Sequence, residues 1–244
     1  MTADLTATLT MMKEMKMGNL ALKLKDMLDD PNFGLRKADE VISEMIEYEY
    51  DSRRSRKIHR LLTKANLKYP AACLDDSIDD PARKLDSNTI RALASCDWIK
   101  EKKNLIITGK AGTGKTNIAC ALGSCAIQHG MPVLYVKASL MINDLCEYQL
   151  TGDYKDYLKR YTGPELLIID DFGLMSLDIS RCLHLFEVLD AREGSGSVLV
   201  ISQIPVGKWY DTFQNSVYAD ACMSRLTHSS YRLEMNGRDM RRGS

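Results

Sequence analysis

A chain of 244 residues with 45% apolar and 27% charged side chains can bury a sizeable core and has the balance of an ordinary globular protein. Its 33 basic and 33 acidic residues cancel, so the case for a nucleic-acid partner has to come from where charges lie and not from their sum. No apolar run approaches the roughly 18 residues of a membrane span, Met1-Thr2-Ala3-Asp4 lacks a signal-peptide layout, and seven cysteines without C-x-x-C spacing argue against zinc, so a cytoplasmic chain with reduced thiols and no membrane partner is expected.

Residues 8–28 carry apolar side chains at mixed three and four spacing with lysines between, which predicts an amphipathic helix weakened near Gly18-Asn19. The cluster Met11, Met12, Met15 and Met17 fits core packing in a helical pair or an adaptable partner-binding stripe. Beyond the breaker Asp29-Asp30-Pro31-Asn32-Phe33-Gly34, a long second helix is expected over 38–65, with Val41, Ile42, Met45, Ile46, Tyr48, Ile58, Leu61 and Leu62 on its apolar face. Together they suggest a small helical hairpin.

Charge along the second helix is divided. Asp39, Glu40, Glu44, Glu47, Glu49 and Asp51 fill its first half, and Arg53, Arg54, Arg56, Lys57, Arg60, Lys64 and Lys68 follow with no acid before Leu74. Such a run suits DNA phosphates, where cations release counterions, or a solvated face favoured near a helix C-terminus. Residues 69–88, with Pro70, Pro81 and five aspartates, read as an irregular linker, and 88–100, with Trp98, as one short helix.

The apolar run Leu105-Ile106-Ile107-Thr108 reads as a buried strand, and 115–129 reads as a helix. Between them Gly109-Lys110-Ala111-Gly112-Thr113-Gly114-Lys115-Thr116 satisfies G-x-x-x-x-G-K-[ST] in the strand-then-helix context that pattern requires. Its glycines let backbone N–H groups point inward to cradle phosphates. Lys115 then reaches the β- and γ-phosphates, and Thr116 offers its hydroxyl to Mg²⁺.

Further strands are expected at 131–136, 166–169, 197–201 and 231–235, alternating with helices, which predicts a parallel sheet covered on both faces. Two helical stretches, 139–149 and 154–160, separate the second and third strands. The latter carries Lys155, Lys159 and Arg160 beside Tyr154, Tyr157 and Tyr161, a set suited to DNA contact or to packing.

Asp170-Asp171 closes the third strand, at the sheet edge that also carries the phosphate loop. Four apolar residues and two acids form a Walker B pattern, with Asp170 assigned to the metal and Asp171 to the attacking water. Ser202-Gln203 ends the neighbouring fourth strand, where the amide of Gln203 suits the γ-phosphate or the water. Arg225 offers a forked cation for transition-state charge, in a direction the sequence does not fix.

These segments, with Ser224-Arg225-Leu226-Thr227-His228 and Asn236-Gly237-Arg238-Asp239-Met240-Arg241-Arg242, closely resemble the IstB-like AAA+ ATPases, helpers of insertion-sequence transposases and relatives of the DnaC helicase loaders. The resemblance spans nearly the whole chain. It implies an α/β fold, an AAA+ P-loop parallel sheet flanked by helices, preceded by a small all-α domain, with the lid absent or minimal. The parts expected are a helical domain with the basic helix at 1–68, a linker at 69–88 and an ATPase domain at 89–244. It implies an ATP cradle of Gly109, Lys110, Ala111, Gly112, Thr113, Gly114, Lys115, Thr116 and Asn117, and Mg²⁺ at Thr116 and Asp170. The catalytic set implied is Lys115, Asp171, Gln203 as sensor 1 and Arg225 as a finger acting in trans, with Arg241 or Arg242 as sensor 2. Asp171 departs from the glutamate of many AAA+ proteins. The function implied is an ATPase that oligomerises on double-stranded DNA through cations such as Arg53, Arg54, Arg56, Lys57, Arg60, Lys155, Lys159 and Arg160, remodels it and delivers it to a transposase. The rival expectation is a DnaC-like helicase loader on single-stranded DNA.

Overall fold

A computed structural model describes residues 3–74 and 86–237. The chain divides into two compact units, Met1–Arg60 and Leu61–Ser244. In the first, the helix expected over 8–28 is two helices, α1 (Ala3–Glu14) and α2 (Gly18–Leu28). The break falls at Lys16, with φ +59°, and not at Gly18-Asn19. There Lys16 N–H donates to the Lys13 carbonyl at 2.9 Å and Met17 N–H to the Met12 carbonyl at 2.8 Å, a Schellman turn with lysine where glycine is usual. Two recovered hydrogen bonds offset the roughly 1 kcal/mol that a side chain costs in this left-handed region.

A 3₁₀ turn, Phe33–Leu35, leads into α3 (Ala38–Ala65), continuous as expected. Leu20, Met27 and Met45 form a small core here, with Met12, Met17, Leu24, Phe33 and Val41 against it. The methionine cluster is therefore split, Met12 and Met17 packing inward while Met11 and Met15 are exposed. Ile42 and Ile46, which periodicity placed on the apolar face, are also exposed. Buried Glu49 accepts the Leu20 N–H at the start of α2 (2.9 Å) and Arg53 Nε (2.6 Å), while Arg53 Nη2 donates to the Lys16 carbonyl at 2.8 Å. Arg53 thus fastens α3 to the turn between the two shorter helices.

In the second unit the helix expected over 88–100 is again two, α4 (Ser87–Ala94) and α5 (Asp97–Lys100), separated at Cys96 with φ +60°. Asp86, read as a linker acid, caps α4 by accepting the N–H groups of Asn88 and Thr89 at 3.2 and 3.0 Å. There follow β1 (Asn104–Gly109), α6 (Lys115–Gln128), β2 (Val133–Lys137), α7 (Ala138–Thr151), α8 (Tyr154–Thr162), β3 (Leu166–Phe172), α9 (Ile179–Arg192), β4 (Ser197–Ser202), a 3₁₀ segment (Val206–Thr212), α10 (Ser216–Thr227) and β5 (Ser230–Met235).

The five strands are parallel and ordered β2-β3-β4-β1-β5. Ile106, Leu167, Ile169 and Val200 belong to one continuous apolar core, and their strand neighbours Leu105, Ile107, Ile168 and Leu199 are equally buried, so helices cover both faces. Because β4 lies between β1 and β3, the loops after these three strands stand side by side at the C-terminal edge. β3 runs past its expected end at 169. Its pairing to β4 shifts between Ile169 and Phe172, and Asp171 has φ +58°, so the paired aspartates sit in a bulge within the strand. Tyr161 is fully buried and donates to Asp144 at 2.7 Å, and Tyr154 and Tyr157 pack on the same core. Among the described residues no helix is long and apolar enough to cross a membrane.

The opposite edge is held by Arg192, which is 1% exposed. Its Nη1 donates to the carbonyls of Tyr161 and Pro164 at 2.8 and 2.9 Å, and its Nη2 to those of Glu165 and Ser197 at 3.2 and 2.7 Å. Burial lowers the pKa to about 10, and the backbone carbonyls stand in for lost water. Arg192→Met keeps the aliphatic stem and strands those carbonyls. It is expected to cost on the order of 3 kcal/mol or more, read as a lower urea midpoint at unchanged slope.

Candidate functional site

The loop after β1 is shaped by its glycines. A Cβ on Gly109 (φ +149°) would meet the Met235 carbonyl oxygen of β5 at 2.3 Å, so only glycine lets β1 and β5 close at this edge. Gly112 and Gly114 have φ +81° and +87°, in the left-handed region where glycine is unstrained. Gly114 caps α6 without a side chain, leaving the first N–H groups of the helix directed at the loop's concavity, an anion site by backbone alone. Lys115 is 6% exposed, and its Nζ donates to the carbonyls of Gly109 and Lys110 at 2.6 and 2.7 Å. Thr113 Oγ1 fastens the same turn by donating to the Lys110 carbonyl at 2.9 Å. The lysine's charge is thereby held over the loop by two carbonyl oxygens.

Asp170, 2% exposed, reaches the loop from β3. Its Oδ2 accepts Thr116 Oγ1 at 3.0 Å and Tyr135 OH at 2.7 Å, and its Oδ1 accepts the Asp171 N–H at 2.8 Å. Burial first, and then the bond to Asp170, push the Tyr135 phenol's pKa up, so it acts only as a donor here. A carboxylate and a hydroxyl converging at 3.0 Å are hard oxygen donors of the number Mg²⁺ takes from protein when phosphates and water supply the rest, so the pair fits that ion. Asp171 turns toward Lys137, whose Nζ is 2.9 Å from its Oδ2. That hydrogen-bonded ion pair raises the lysine's pKa.

Ser202 and Gln203, adjacent in sequence, have separate fates. Ser202 is buried, donates its hydroxyl to the Phe172 carbonyl (2.7 Å), and accepts the Ile204 N–H (3.0 Å) and Trp209 Nε1 (3.2 Å). Gln203 is exposed and lines a cavity of about 290 Å³ with Lys115, Thr116, Asn117, Asp170 and Asp171. Lys68 and Tyr69 line it too, with Lys68 Nζ 5.5 Å from the Tyr69 ring centre. In the sequence Lys68 closes the basic run and Tyr69 opens the linker, so no local pattern marks them. Tyr135 and Lys137 belong to no motif, and only the pairing of β2 with β3 points to them.

Arg225 is not at this cavity. Asn104, the first residue of β1, donates to the Arg225 carbonyl at 2.8 Å, so Arg225 lies at the other end of β1, roughly 17 Å of strand from the phosphate loop. Its guanidinium pairs with Asp190 (Nε 3.1 Å) and Glu193 (3.5 Å) and covers the Phe186 ring at 4.6 Å. Lys155, Lys159 and Arg160 are exposed on α8, Lys159 bound to Asp156 at 2.9 Å and Arg160 3.9 Å from Asp144. Arg54, Arg56, Lys57 and Arg60 are exposed on α3. Arg241 and Arg242 lie outside the described residues.

A family model described as IstB-like ATP binding protein matches residues 10–244. An insertion-sequence ATP-binding protein of Sinorhizobium fredii is 33% identical over 235 residues, covering 96% of this chain and 94% of that protein. Among solved structures, AMPPCP-bound DnaA of Aquifex aeolicus is similar with a TM-score of 0.58 at 20% identity, over 70% of this chain and 51% of that one. The DnaC helicase loader is similar with a TM-score of 0.53 at 19% identity, over 62% and 88%. At these identities the structural likeness speaks for the fold alone.

Ser202→Ala strips the three partners of a buried hydroxyl in the cavity wall. It is expected to cost about 2 kcal/mol in denaturant unfolding and to shift Trp209 emission.

Proposed function

The chain belongs to the family of IstB-like ATP binding proteins, and from that membership we propose that it is a Mg²⁺-dependent ATPase that oligomerises on duplex DNA and delivers it to a transposase. One observation carries the reading: a phosphate loop, a metal-suited Thr116–Asp170 pair and a second carboxylate, Asp171, meet at one cavity on the C-terminal edge of a parallel sheet. The α6 N-terminus and Lys115 bind the phosphates. Thr116 and Asp170 would hold the ion, which would supply charge neutralisation at the phosphates. Asp171 takes the proton of the attacking water as its oxygen bonds to the γ-phosphorus. The bond to the bridging oxygen breaks, and ADP leaves with those electrons. Gln203 hydrogen-bonds the γ-phosphate or the water.

Arg225 completes this site in a neighbouring subunit. Its distance from its own phosphate loop along β1 supports a role in trans, where its charge offsets that of the transition state. ATP therefore joins subunits, and hydrolysis releases them from DNA.

Lys115→Ala is expected to lose nucleotide binding and, with it, ATP-dependent assembly on DNA, checked with a fluorescent ATP analogue and sedimentation. Asp171→Asn is expected to bind ATP normally, fall at least a hundredfold in turnover and stay on DNA. Normal turnover by Asp171→Asn removes its assigned role.

Duplex contact is expected from the exposed cations of α3. Replacing Arg54, Lys57 and Arg60 together by glutamine is expected to lower the slope of log affinity against log salt by up to about 3. A chain that prefers single strands and captures a replicative helicase follows the helicase-loader reading instead.

A further inference from the structure

Acids are out of place at the end of a helix, where unpaired carbonyls already gather negative charge. Asp190 lies in the last turn of α9, and Glu193 is the residue that ends it. Arg192, the basic residue of that turn, is spent on the carbonyls of other segments. The charge of the two acids is met instead by Arg225, from the last turn of α10.

Phe186, Asp190 and Glu193 follow at spacings of four and three, so they form one stripe of α9. The Phe186 ring lies 6.0 Å from the Tyr218 ring of α10, and the Arg225 guanidinium covers it at 4.6 Å. Arg225 Nε and Nη2 both donate to Asp190 Oδ1, at 3.1 and 2.5 Å, and Glu193 Oε2 is 3.5 Å from Nε. Nη1 turns back along its own helix and donates to the Ala221 carbonyl at 3.2 Å. Every nitrogen of the guanidinium is thus engaged within one subunit, and one of its faces rests on a ring.

These contacts hold the group without fixing it. The Asp190 and Glu193 side chains are 50% and 66% exposed, and ion pairs open to water to that degree are weak and easily reversed. A cation over a ring near the surface adds a contribution of similar size. While it lies on α9, the guanidinium has no free fork for a phosphate.

We infer that Phe186, Asp190 and Glu193 are positioning residues that hold Arg225 against α9 in the separate subunit, so that it turns to a neighbour's nucleotide only when assembly sets a phosphate against it. The inference rests on the reading of Arg225 as a residue that acts in trans. It makes turnover depend on subunit contact through the release of one side chain.

The test measures ATP turnover per subunit of the full chain across a range of protein concentrations. Asp190→Asn keeps the shape and removes the charge. It is expected to lower the protein concentration at half-maximal turnover about threefold, with affinity for a fluorescent ATP analogue and turnover at saturating protein unchanged. Glu193→Gln is expected to move the midpoint the same way by less, because its pair is longer and more exposed, while Asp190→Glu keeps the unaltered midpoint. Damage to the fold would raise the midpoint, so a fall reports release of Arg225. Midpoints that stay level or rise in both Asp190→Asn and Glu193→Gln overturn the inference. Arg225→Ala that turns over ATP at the unaltered rate at saturating protein overturns the trans reading, and the inference with it.

Discussion

A carboxylate that is 2% exposed has to be compensated, and Asp170 is compensated from three directions by Thr116 of α6, Tyr135 of β2 and the backbone of Asp171. This one group joins the phosphate-loop helix, the second strand and the bulge of the third. The arrangement depends on strand order. With β4 between β1 and β3, the ends of these three strands line a single cavity, and β2 on the far side of β3 touches its two aspartates. An order that set β3 at the far edge of the sheet from β1 would leave the phosphate loop and the aspartates apart while preserving every local motif.

The two edges of the sheet use charge differently. At the C-terminal edge the buried lysine rests on two loop carbonyls, an arrangement that incoming phosphate oxygens can replace. At the opposite edge Arg192 spends its charge on four carbonyls and closes off the starts of β3 and β4. Arg225, on α10, is covered by Phe186 and pairs with two acids at the surface. One edge therefore carries its lysine at the mouth of a cavity, and the other buries one arginine and pairs a second with acids.

The basic run on α3 is not uniform. Arg53 is committed to Glu49 and to the Lys16 carbonyl, where it holds the small helical unit together, while Arg54, Arg56, Lys57 and Arg60 face solvent. On α8 the tyrosines are anchors in the core and the cations stand outside it, two of them near acids. Charge counted along a sequence overstates what is available to a polyanion, because some of it is consumed in folding.

The sequence by itself determined the phosphate loop, the paired aspartates, the parallel α/β character and the continuous α3, because each rests on local rules: glycine conformation, apolar periodicity and the few residue types that serve phosphate and metal. Lys115, Thr116, Asp170, Asp171 and Gln203 were legible for that reason, and they share one cavity. Helix breaks at Lys16 and Cys96 were not, since a left-handed turn closed by its own hydrogen bonds accepts residues that composition would not choose. Nor were Tyr135, Lys137, Lys68 and Tyr69 at the site, or the burial of Ser202 beside an exposed Gln203. Those were decided by which strands lie side by side and by a one-residue bulge in β3. Such features arise from pairing between segments far apart in the chain, and no local pattern encodes them.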